Sequence, residues 1–478
     1  MAPQTMFSAV LLAATAASFA TTLVAGAPGA SAFPVTNFAS QRHTVSGALG
    51  SWSFDSPAYT YCDPSYPSAE SYNKVPDASL ELVQMVVRHG DRSPVNLISH
   101  DDSTWDCNGV SEEIYLHGTD QNEKNTTGSF EQLIVIPSFN GKYGFSNKLW
   151  KGTCDVGELT DKGKSQHRLL GTRLRDIYVN KLGYLPDKLN HTNEIYVRTT
   201  YVWRTKNSAE SLLGAMWPGR EITPSSAIPL HTYPKEIETM YGNSDACPRI
   251  KELTSKIVAS DSYQQFLKEQ GPLMTRLQDI MGVQGSKWDN GWDGYFDALN
   301  ARKCHGKKPI CAQPSTVDSH DPTSKDCTTD EDVAQVSRNA NYEWLYKSHD
   351  NPLAQNFTRL YIGSFVGTLR DQIAERIAGK TGNLKFALYS GHDSTVWPLL
   401  SVLDASDQNS LWPPYASNLI FELWKKNDGK HVIRVIFNGK TLELQKDNQW
   451  CDMNACPVDK FYNYLEKFVP DDITAECA

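Results

Sequence analysis

The stretch Leu80 to Pro94, LELVQMVVRHGDRSP, constrains the fold of this chain more than any other. Val83, Met85, Val86 and Val87 make a short, β-branched apolar run of the kind that forms a strand buried on both faces. Arg88, His89 and Arg92 follow at once, with Gly90 and Pro94 marking a loop. Two guanidinium groups and an imidazole therefore leave the end of a core strand together. That combination predicts an anion pocket with a nucleophile inside it.

The same pattern of strand, polar end and helix returns along the chain. Glu194 to Val197 reads as a second short strand ending in Arg198, Thr199 and Thr200, with Arg204 after a brief loop and a helix from about Lys206 to Met216. Leu384 to Tyr389 is a third, ending in Ser390-Gly391-His392-Asp393. Leu419 to Trp424 and His431 to Asn438 predict a hairpin at a sheet edge. Thr160 caps a helix in which His167, Leu170, Leu174, Ile177 and Tyr178 recur at helical spacing, with His167 read as a core-edge residue. A longer helix from Pro352 to Ala378 ends at Gly379.

This alternation predicts an α/β fold with a mostly parallel central sheet and helices on both faces. Between Arg249 and Lys347 the apolar residues recur at three and four, so a smaller, mostly α-helical insert is expected. The expected organisation is a core from residues 80–225 and 350–478, with the insert at 226–349. Residues 33–79, rich in Ser, Pro, Tyr and Asn, read as an extended surface arm. The polar excursion from Val95 to Cys154 reads equally as pocket wall or as disulfide-pinned surface.

Composition narrows the partners. A formal net charge of −9 repels nucleic acid and anionic membranes, so any affinity for phosphate must be local. Phe7 to Val24 is uncharged and Ala-rich, and small residues follow at Ala27 and Ala32, so residues 1–32 are expected to be a signal peptide and cleavage region; an uncleaved anchor is the alternative. Ten cysteines and sequons at Asn125, Asn190 and Asn356 fit an oxidising, glycosylating route and a secreted or lumenal protein without stable membrane association after cleavage. The spacings of Cys304/Cys311 and Cys451/Cys456 do not suit zinc, so neither a metal nor a cofactor is expected. Oligomeric state is left open.

Ligands of parallel α/β sheets bind beyond the carboxyl ends of the strands, where Arg88-His89, Arg198 and His392-Asp393 would meet. Guanidinium forks match phosphoryl oxygens in pairs. The chemistry that fits is in-line phosphoryl transfer to His89, kept neutral by the surrounding cations, with Asp393 protonating the leaving alkoxide and then activating water. A small phosphomonoester is the expected substrate. Transfer of the phosphoryl group to another acceptor, or phosphate binding without catalysis, are the alternatives.

Arg88-His89-Gly90-Asp91-Arg92-Ser93-Pro94 is similar to the RHGxRxP signature of the histidine acid phosphatases, and His392-Asp393 resembles their HD motif. Gly157-Glu158-Leu159-Thr160 with Gly163, Arg198-Thr199-Thr200, Pro413 to Ser417 and the closing cysteines extend the likeness. The resemblance implies a phosphoglycerate mutase-like core with a helical second domain over the pocket, and disulfides for the tail cysteines. It also implies His89 as nucleophile, Arg88, Arg92, Arg198 and His392 as phosphate ligands, and Asp393 as proton donor. Asp91 and Ser93 look like the prostatic and lysosomal acid phosphatases, and Leu174 to Tyr178 with Leu419 to Trp424 like the phosphoxylose-phosphatase branch. One departure stands out: Tyr201 and Trp203 occupy places that are usually acidic, which predicts a more aromatic pocket wall.

Overall fold

A computed structural model describes residues 60–107, 110–117, 126–133, 149–189, 192–219, 228–312, 326–406 and 409–478. The expected signal region, the arm up to residue 59 and the sequons at Asn125 and Asn190 lie outside these residues. Among the described residues no helix is long and apolar enough to cross a membrane.

Strand β1 (Ala78–Arg88) runs through the middle of an eight-stranded sheet. Its side chains alternate between two cores. Val83, Met85 and Val87 pack with Leu170 and Leu174 of α1 (Asp161–Leu174) and with Leu212 of α2 (Trp203–Met216). Leu82 and Val86 pack on the other side with Phe365 and Val366 of α5 (Ala354–Ile377) and with Val396 and Leu400 of α6 (Asp393–Val402). Both faces are covered by helices, which is why the run reads as continuously apolar.

On one side of β1 the sheet is parallel: β4 (Phe386–Gly391) pairs with β1, β2 (Ile195–Thr199) with β4, and β3 (Leu230–Thr232) with β2. On the other side β5 (Asn418–Lys426) and β6 (His431–Phe437) form the expected hairpin, antiparallel to β1. The sheet is thus mixed, with β1 at the join. The hairpin's first strand is not at an edge: β5 pairs with β1 and with β6, and its Glu422 is fully buried. That carboxylate accepts hydrogen bonds from Tyr72, Tyr178, Trp424 and Arg434, the pairing a charge needs at such depth.

The described part of residues 226–349 includes β3, helices Pro248–Val258 and Asp261–Met281, α3 (Asp293–Cys304) and α4 (Asp330–Leu345). Residues of the arm after position 59 are built into the protein rather than laid over it. Tyr61, Tyr72 and Val75 are buried, and Cys62 is bonded to Cys304 at the end of α3. The remaining cysteines pair as Cys107–Cys154, Cys247–Cys477, Cys311–Cys327 and Cys451–Cys456, so all ten are in disulfides.

Candidate active site

The carboxyl ends of β1 and β4 lie side by side, with Arg88 opposite Gly391. The backbone N–H of His89 donates to the Gly391 carbonyl at 3.0 Å, and the His89 carbonyl accepts from Ala416 at 3.0 Å. The strand end therefore holds His89 between the HD turn and the loop before β5. Gly90 is required by close approach: a Cβ there would lie 2.4 Å from the Gly163 carbonyl oxygen in the first turn of α1. The Thr160 hydroxyl, besides capping α1 at Gly163, donates to the Asp91 carboxylate at 2.6 Å. His167 is buried in the core, where its Nε2–H donates to the Arg88 carbonyl at 3.1 Å and burial lowers its pKa to about 4.

The His89 ring is buried, and its Nδ1–H donates to its neighbour's carbonyl, Gly90 O, at 2.8 Å. A carbonyl can only accept, so the tautomer is fixed with the lone pair on Nε2. Burial holds the His89 pKa well below its usual value, and the charges of Arg204, Arg88 and Arg92 add to the effect. The shift favours the neutral imidazole. The His392 ring lies 5.6 Å from it, centroid to centroid, and its Nε2 meets the Thr200 hydroxyl at 2.9 Å. Burial and Arg204 bring His392 down to about 3, against the pull of Asp393.

Three arginines surround the two imidazoles. Arg88 donates to the Pro413 carbonyl at 2.6 Å and pairs with Asp393 at 2.8 Å. Arg92 pairs with Asp297 of α3 at 2.5 Å, and the same carboxylate accepts from the Val95 backbone at 2.8 Å. The third is Arg204, in the first turn of α2. The Nε–H groups of all three are buried and find no acceptor among the described residues. Buried donors of this kind are costly unless a ligand meets them, and three converging guanidinium groups suit a tetrahedral dianion. Burial raises the pKa of the Asp393 carboxyl, but Arg88 and Arg92 outweigh it and hold the group below its usual range; Trp412 donates to it at 3.0 Å.

The structure brings together Arg88, His89, Arg92, His392 and Asp393. It does not bring Arg198 to them. Arg198 is buried under Glu238, which takes its charge, and it donates to Thr239 at 3.0 Å with its guanidinium 3.7 Å from the Tyr233 ring centroid. Arg198 is expected beside His89 as a phosphate ligand; the structure pairs it with Glu238 instead, and the arginine whose charge acts most on both His89 and His392 is Arg204. The signal was present in the sequence. Arg198 falls inside the ladder of β2, where alternation turns it into the core, whereas Arg204 begins the helix after the strand, the usual place for an anion ligand in such folds. Asp297, which holds Arg92 from the insert, carries no local motif. Tyr201 and Trp203 are 73% and 53% exposed, immediately before Arg204.

Residues 79–438 match the histidine phosphatase superfamily (branch 2). The chain is 28% identical over 406 residues to counting factor 60 of Dictyostelium discoideum, covering 84% of this chain and 88% of that one. It is 25% identical over 407 residues to human prostatic acid phosphatase, covering 83% and 88%. Among solved structures, the Hafnia alvei phytase in complex with tartrate superposes with a TM-score of 0.54 at 13% identity, over 84% of this chain and 99% of that one, a likeness of fold. Because the match spans residues 79–438, most of the chain, the chain belongs to branch 2 of the histidine phosphatase superfamily.

Proposed function

We propose that this protein hydrolyses phosphomonoesters in acid through a phosphohistidine on His89. The observation that carries this reading is an imidazole whose Nδ1–H is tied to the Gly90 carbonyl, leaving the lone pair on Nε2, beside buried guanidinium Nε–H donors without partners among the described residues. Nε2 attacks phosphorus in line, the P–O bond to the leaving group breaks, and the non-bridging oxygens rest on Arg88, Arg92, Arg204 and His392. The positive charge required is supplied by the guanidinium groups. Asp393 is ionised beside Arg88; an entering phosphate anion draws the arginine charge away, so the carboxylate takes up a proton from water in the acid medium and passes it to the departing alkoxide. The same carboxylate then takes a proton from the water that attacks the phosphohistidine.

A secreted or lumenal location accords with five disulfides and with the exposed sequon Asn356 at the start of α5. Exposed Tyr201 and Trp203 next to Arg204 favour leaving groups that present an apolar face.

The test is His89→Ala assayed on p-nitrophenyl phosphate at acid pH. Turnover should fall by about 10⁴-fold or more, as for loss of a nucleophile. Unchanged turnover would sink the assignment. Rapid quenching without acid should trap labelled phosphate on the wild-type chain and none on the variant.

A further inference from the structure

Arg88 is held from a direction that the family signature does not contain. Its Nη2 donates to the Tyr61 hydroxyl at 2.8 Å, while the same nitrogen reaches Asp393. Tyr61 precedes residues 79–438, the part of the chain that the superfamily matches. It is 7% exposed, packed edge-on against Phe296 of α3 at 4.9 Å and tilted against Tyr415 at 4.8 Å. Its carbonyl accepts from the Tyr415 backbone at 3.2 Å. The next residue, Cys62, is bonded to Cys304, the last residue of the helix whose Asp297 grips Arg92. Gln166 of α1 donates to the Cys62 carbonyl and to Asp63, both at 2.7 Å, and accepts from the Asp91 backbone at 2.8 Å.

The segment around Tyr61 thus ties together α1, α3 and the 413–417 loop, the three elements that surround Arg88. We propose that Tyr61, anchored by the Cys62–Cys304 disulfide, is a positioning residue that sets the Arg88 guanidinium for the phosphoryl group. Pro413 and Tyr61 fix opposite amino groups of the guanidinium, and the plane so defined leaves Nε–H as a free donor. Burial raises the pKa of the phenol, so the hydroxyl stays neutral and acts as a dipole rather than a competing anion. A preorganised donor stabilises a transition state without reorganising, which is the benefit lost when its support is removed.

The inference rests on the phosphatase reading, and one set of full-length variants separates the two. Tyr61→Phe keeps the ring and its packing but removes the acceptor; kcat should fall about tenfold, the effect of one hydrogen bond to a charged group. Inorganic phosphate should inhibit it less well by a similar factor, with Tm close to wild type. Cys62→Ser with Cys304→Ser should show the same loss of kcat together with a lower Tm, and adding Tyr61→Phe to that pair should cost nothing more, because both changes break one linkage. Tyr61→Phe with wild-type kcat and phosphate inhibition would overturn the proposal, as would losses that multiply in the combined variant. A chain whose wild type and His89→Ala variant turn over equally would instead overturn the phosphatase reading.

Discussion

Two arginines six residues apart in sequence, Arg198 at the end of β2 and Arg204 at the start of α2, meet opposite fates. Arg198 is paired with Glu238, lies under the Tyr233 ring and is buried. Arg204 makes no ion pair among the described residues; it donates to the Gly157 carbonyl at 3.5 Å, and burial together with Arg92 brings its pKa down to about 10. A buried arginine matched by its own carboxylate is an internal strut, whereas one crowded by other cations and without a carboxylate of its own suits an anion. Arg434 behaves like Arg198, since Glu422 compensates it on the far side of β1. Neither burial nor the lack of a counter-charge marks the site arginines, since Arg88 pairs with Asp393 and Arg92 with Asp297; their clustering around His89 does.

The sharpest way to break this comparison is Arg204→Gln. It should lower kcat/KM by about 100- to 1000-fold, the loss that follows removal of one transition-state donor, while Tm stays near wild type. Arg198→Gln should do the reverse. It strands Glu238 in the core, and breaking a buried pair costs about 3–5 kcal/mol of stability, yet the folded fraction should turn over at close to the wild-type rate. Denaturant melts beside initial rates, both normalised to folded protein, decide it. If Arg198→Gln lost turnover and kept its stability, the two assignments would have to be exchanged.

The same contrast shows what a sequence can disclose. The alternation of β1, the cap at Thr160 and the turns at Arg88-His89 and His392-Asp393 are local patterns, and the structure places them together because adjacent parallel strands end at one edge. Arg198 within β2 and Arg204 at the start of α2 differ already by their place in the pattern, whereas Glu238, forty residues further on and without a motif, could not be read as the partner of Arg198. Asp297 and Tyr61 reach the site from a helix of the insert and from the segment before β1. Their roles depend on tertiary contacts and on the Cys62–Cys304 link, which residue spacing cannot pair. The interior position of β5 was hidden for a similar reason: a hairpin pattern does not say which neighbour its first strand finds.

The pH profile sharpens the comparison further, with a smaller effect. A histidine whose pKa is depressed stays neutral until the pH falls below the lowered value, so the wild-type kcat/KM should not decline as the pH drops through the ordinary histidine range near 6.5. Burial is the largest cause of that depression for His89, and Arg204 is the largest charge contributing to it. Removing Arg204 lets the His89 pKa rise, so in acid more of the nucleophile is protonated and lost. The acid limb of Arg204→Gln should therefore move to higher pH, making the variant's deficit greater at low pH than at neutrality. Arg198→Gln removes a charge that Glu238 already cancels, and its acid limb should remain where the wild type's is. Measuring kcat/KM for the three proteins across the acid range separates a direct electrostatic role from a supporting one. Parallel profiles for Arg204→Gln and wild type would mean that Arg204 holds phosphate without tuning the nucleophile.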